Sequence, residues 1–145
     1  MQDTPHYHFV GWVLFGVALV FILYYTKVYS RNFNDSSMVY STFLTFFSFF
    51  MFLTRMHERY LFPAVALCVM SLAYSKKLVW ISVTVTFTSL LNQAYALKFL
   101  NEGMFIPQSD LLVYVVSALN LFILLCCYYL LVKREETFIE RRNEE

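Results

Sequence analysis

Two arginines, a glutamate and a histidine fall within five positions of "FLTRMHERYLFP", residues 52–63, and a tyrosine follows them directly. Arg55 and Arg59 stand four apart, so on a helix or a tight interfacial turn they share a face. Glu58, three from Arg55, is close enough to pair with it. His57 adds an imidazole and Tyr60 a phenol. Guanidinium forks and phenolic hydroxyls bind phosphate oxygens bidentately and directionally. The set Arg55, His57, Glu58, Arg59 and Tyr60 therefore suits a phosphate or pyrophosphate, with the glutamate orienting an arginine or accepting a sugar hydroxyl. The same five residues also suit an ion-paired hairpin that fixes the ends of two helices. Residue types alone fit both roles.

The elements that must position this set are unusually apolar. "YSTFLTFFSFFMFLT" runs up to it and "LFPAVALCVMSLAYS" leads away. Only 14% of the 145 residues are charged and 59% are hydrophobic, whereas a soluble domain carries roughly 25% charged residues. The charges sit in short islands between long apolar runs, and three glycines and three prolines are too few for a turn-rich β architecture. The pattern is that of an all-α, polytopic integral membrane protein. A net charge of +1, with no basic stripe carrying interleaved aromatics, argues against a nucleic-acid partner. Cys68, Cys126 and Cys127 lie inside apolar segments without CxxC or His/Cys ligand spacing, so they read as small buried hydrophobes, and nothing calls for a metal or cofactor.

Five segments are candidates to span a bilayer: 8–26, 37–54, 60–75, 78–98 and 111–132. A hydrocarbon core of ~30 Å needs roughly 20 helical residues. The third segment is short, and spans only if Lys76 and Lys77 snorkel at one end while the charged set occupies the interface at the other. The first segment lacks the basic n-region and small-residue cleavage site of a secretory signal. With the N-terminus outside, Lys27, Arg31, Lys76, Lys77, Lys133, Arg134, Arg141 and Arg142 face the cytoplasm, against Arg55, Arg59 and Lys98 outside. Eight against three favours N-out, C-in. Residues 1–132 then form one transmembrane bundle and 133–145 a charged cytoplasmic tail, helical near the membrane. The sequon at Asn34 falls on the cytoplasmic side, the wrong one for glycosylation. Arg55 and Arg59 face the side where the positive-inside rule gives least reason for arginine.

Between helices in a membrane, small and polar residues make the contacts. Ser82, Thr84, Thr86, Thr88, Ser89 and Asn92 on the fourth segment, with Ser117 and Asn120 on the fifth, are the candidates. "FLTFFSFFMF" reads as a lipid-facing or helix-packing surface. Asp35, Ser36 and Ser37 are available to cap the second helix, and Ser109 or Asp110 the last. Pro63 suits the first turn of the third, where its missing N–H costs nothing. None of the five segments carries a central proline or charge, which counts against a transporter.

"TRMHERYLFPAVAL", followed by "TFTSLLNQAYAL", resembles the C-terminal membrane half of bacterial GT-C superfamily glycosyltransferases of the dolichyl-phosphate-mannose type. The likeness is strongest over residues 52–97, and "MHERYLFP" is its most specific string. It implies a polyprenyl-phosphate sugar donor as partner, used on the extracytoplasmic face of a bacterial plasma membrane. It also implies that His57, Glu58, Arg59 and Tyr60 lie near the donor's lipid phosphate. Such enzymes carry a catalytic acid in a large external loop after the first membrane helix of a much longer chain. Here "MQDTPHYH" runs almost directly into an apolar segment, and Asp3 is the only acid before it. The expectation is a C-terminal module that contributes part of the donor site, lacks catalysis alone and partners an N-terminal catalytic half. The other expectation is a small non-enzymatic membrane protein that binds a partner protein or lipid headgroup.

Overall fold

A computed structural model describes residues 5–29, 35–53, 61–73, 78–101 and 111–143. All regular structure among them is helical: α1 (Pro5–Tyr29), α2 (Asp35–Phe52), α3 (Phe62–Ser71), α4 (Val79–Asn101) and α5 (Leu111–Asn143). Each grows from one of the five apolar segments. α1 and α5 contain stretches long and apolar enough to cross a membrane, Phe9–Lys27 and Leu111–Lys133. α2 and α3 are apolar but shorter. α4 has 23 residues but is diluted by serine, threonine and asparagine.

Two helices end differently from the sequence expectation. α3 has 10 residues, rising about 15 Å, half of a typical hydrocarbon core. Pro63 sits in its first turn, as expected. At the other end Leu72 and Ala73 donate to the carbonyls of Val69 and Met70, three residues back. These bonds tighten the last turn and stop the helix while the sequence is still apolar. α5 instead continues through the charged tail to Asn143, 33 residues in all.

Successive helices alternate in direction. Phe15 packs edge-on against Phe49 at 5.5 Å, and the hydroxyls of Thr26 and Ser41 share a hydrogen bond of 2.6 Å, so α1 and α2 are antiparallel. The seven residues between Leu53 and Leu61 join α2 to α3, and Cys127 of α5 lies beside both Tyr40 of α2 and Cys68 of α3. Cys68 also meets the hydroxyl of Ser82 on α4, while Thr88, further along α4, donates to Asn120 Oδ1 of α5 at 2.8 Å. Moving from Ser82 to Thr88 thus moves from Cys127 back to Asn120. α1 and α5 consequently run the same way, touching through Phe21 and Tyr128, whose ring centroids are 5.6 Å apart.

α2 is the spine of the core. Phe43, Leu44 and Phe47 are fully buried against Leu61, which precedes α3, Ala64 and Cys68 of α3, and Ile123, Leu124, Cys127 and Leu131 of α5, with Ile22 of α1 and Val85 of α4 closing the cluster. Phe43 and Phe47 stack at 5.7 Å, so the aromatic run is a helix-packing surface, with Phe46 turned outward.

Candidate functional site

Arg55, His57, Glu58, Arg59 and Tyr60 all lie outside the described residues. The structure does describe the two ends from which that stretch is held. Leu53, just past α2, and Leu61, just before α3, are both buried. Leu53 N–H donates to the Phe49 carbonyl at 3.2 Å, extending the helical turn. α1 braces the same place: a Cβ added at Gly11 would fall against the backbone carbonyl of Phe52. Glycine at position 11 lets α1 approach the end of α2 backbone to backbone, a close approach that any side chain would prevent. Leu53 and Leu61 are thus fixed in the core, and the stretch carrying the ionisable residues is bounded by two anchored positions.

The polar residues expected at helix contacts divide into two groups. Ser82, Thr88, Ser89 and Asn120 are buried. Thr84 and Thr86 are half-buried and return their hydroxyls to the carbonyls of Trp80 and Ser82, both at 2.7 Å. A threonine that donates within its own helix leaves no unpaired donor facing a neighbour or lipid. Asn92 is half-buried, whereas Ser117 is exposed. Among the described residues, no buried side-chain nitrogen or oxygen lacks a hydrogen-bond partner.

The sequence reading did not anticipate where α2, α3, α4 and α5 meet. Tyr40 donates to the Cys127 carbonyl at 2.9 Å, while Cys127, Cys68 and Ser82 cluster beside it. At the next position of α5, Tyr128 shares a 2.6 Å hydrogen bond with Ser48. Tyr40 and Ser48 are two turns apart on α2, and that spacing was the available signal. Cys68 and Cys127 are free and fully buried, and Cys126 is half-buried, in keeping with their reading as small hydrophobes. No group of three His, Cys, Asp or Glu that could hold a metal ion occurs among the described residues.

Comparison of the chain with protein-family models, with curated proteins and with solved structures gave no match.

Proposed function

We propose that this chain is a bundle of five membrane crossings, N-terminus out and C-terminus in, that presents Arg55, His57, Glu58, Arg59 and Tyr60 to the phosphate of a polyprenyl-linked sugar. In this reading it is the C-terminal membrane module of a glycosyltransferase whose catalytic acid lies on another segment or chain. Displacement at the sugar would invert its configuration. The acid's carboxylate would act as base on the acceptor, and the guanidinium groups of Arg55 and Arg59 would stabilise the departing lipid phosphate.

The membrane part rests on the outside of the bundle. Among the described residues, twenty-eight large hydrophobic side chains are exposed there, including Phe9, Val17, Trp80, Phe87, Leu97, Phe122 and Tyr129. A water-soluble monomer keeps its largest apolar patch to a few hundred Å². Only 22% of Phe9–Lys27 and 28% of Leu111–Lys133 is buried within the fold, unlike the central helix of a soluble core. Exposed Trp12 and Tyr114 fall toward one end of the bundle, and Tyr24, Trp80 and Tyr129 toward the other, the two levels at which aromatic residues mark the membrane–water boundaries. The lipid-phosphate part rests on the residue types of "TRMHERY" and on the resemblance of that string.

One observation favours the second reading, an ion-paired clasp. Leu53 and Leu61 are both buried, so the stretch joins two helices that are already anchored. Glu58→Gln separates the two. If Glu58 serves the site, the variant loses polyprenyl-phosphate binding and keeps its thermal unfolding midpoint in detergent. A lowered midpoint with unchanged binding leaves only the clasp.

A further inference from the structure

α1 and α5 run the same way and touch through Phe21 and Tyr128. Beyond that contact each helix repeats one arrangement. α1 presents exposed Tyr24 and then Lys27, and α5 presents exposed Tyr129 and then Lys133. Lys133 Nζ lies over the Tyr129 ring, 6.0 Å from its centroid. Lys27 is six residues past Phe21 and Lys133 five past Tyr128, so at 1.5 Å per residue their backbones stand about 9 and 7.5 Å beyond the contact. The two lysines are therefore level, on neighbouring helices.

They also share a side. On α1 the core-facing residues are Ala18, Ile22 and Tyr25, which leaves Val20, Leu23, Tyr24 and Lys27 outward. On α5 the core-facing residues are Leu124, Cys127 and Leu131, which leaves Leu125, Tyr129 and Lys133 outward. Phe21 and Tyr128 lie at the boundary of these faces, so the outward faces of both helices open to one side of their seam.

We infer that this seam binds an anionic phospholipid, with its phosphate held between Lys27 and Lys133, its headgroup flanked by Tyr24 and Tyr129, and its acyl chains on the apolar faces above. Two ammonium groups at one level, each ending an exposed apolar stripe, complement an anionic head attached to hydrocarbon. A soluble anion matches the lysines but leaves the apolar stripes uncovered. This inference rests on the membrane reading. It is separate from the ionisable stretch after α2, because Lys27 and Lys133 mark the opposite end of the bundle.

The test uses the full chain, with Trp12→Phe, Trp80→Phe and a Leu125→Trp reporter, in bilayers of phosphatidylcholine containing brominated phosphatidylglycerol or brominated phosphatidylcholine. Quenching of the reporter gives the relative association of the two lipids beside α5. The anionic lipid should be preferred, and Lys27→Gln and Lys133→Gln should each cut that preference roughly fivefold, near the value expected for one lysine at a charged surface. Lys27→Arg with Lys133→Arg should retain it, and Lys98→Gln, at the other end of α4, should leave it unchanged. Preference that survives the double glutamine variant, or falls equally with Lys98→Gln, overturns the inference. Quenching by both lipids without preference overturns it while leaving the membrane reading intact. A reporter that neither lipid quenches overturns both.

Discussion

Gly11 and Gly16 are five residues apart on α1 and meet opposite surroundings. Gly11 is buried against the carbonyl of Phe52, whereas a Cβ at Gly16 would meet nothing within 4 Å. Alanine at position 11 has to displace backbone, so Gly11→Ala should destabilise the fold by about 1–3 kcal/mol, the usual cost of overpacking. Gly16→Ala gains helix propensity without a clash and should stabilise by up to about 1 kcal/mol. Thermal unfolding of the two variants in the same detergent gives both signs. The Thr88–Asn120 hydrogen bond, buried between α4 and α5, is open to a double-mutant cycle with Thr88→Val and Asn120→Leu. Its coupling should be about 0.6 kcal/mol and at most near 1.7, because in a membrane the unfolded helices also find partners for such groups.

Helices were readable in the sequence wherever a long apolar run met a polar break. That holds for the starts of α2 and α5 and for Pro63 in the first turn of α3. Ends within apolar sequence were not readable. "LCVMSLAYS" stays hydrophobic past Ser71, and hydropathy does not register the bonds from Leu72 and Ala73 that close α3 there. The charged tail hid the opposite case, since its helix persists as a continuation of α5. At the contacts, "TFTSLLNQAYAL" announced polar packing without telling Thr88, which reaches Asn120 as well as the Val85 carbonyl of its own helix, from Thr86, whose hydroxyl returns to Ser82. For the proposed membrane bundle, the lysine and arginine count sets the direction of crossing. It predicts that Gln108→Cys reacts with a membrane-impermeant thiol reagent applied outside, whereas Ser36→Cys reacts only after the membrane is opened. The reverse pattern would put the N-terminus inside and the ionisable stretch in the cytoplasm.

For the molecule as a whole, a core built on α2 leaves an apolar exterior and holds the "TRMHERY" stretch between two buried leucines. The residue types of that stretch were legible in the sequence, and they suit a phosphate as well as an ion-paired hairpin. Which partner they meet was not legible, because arginine forks suit a carboxylate in the same chain as well as an anionic lipid. The direct measurement is binding of a polyprenyl phosphate to the folded chain in nanodiscs. One charge-assisted hydrogen bond contributes roughly 1.5–3 kcal/mol. Arg55→Ala and Arg59→Ala should therefore each weaken binding on the order of tenfold to a hundredfold. Arg59→Lys should recover only part of the loss, because an ammonium cannot reproduce a bidentate fork. Equal affinity for the wild type and both alanine variants, with all three folded, would contradict the lipid-phosphate site and leave the stretch as a clasp between α2 and α3.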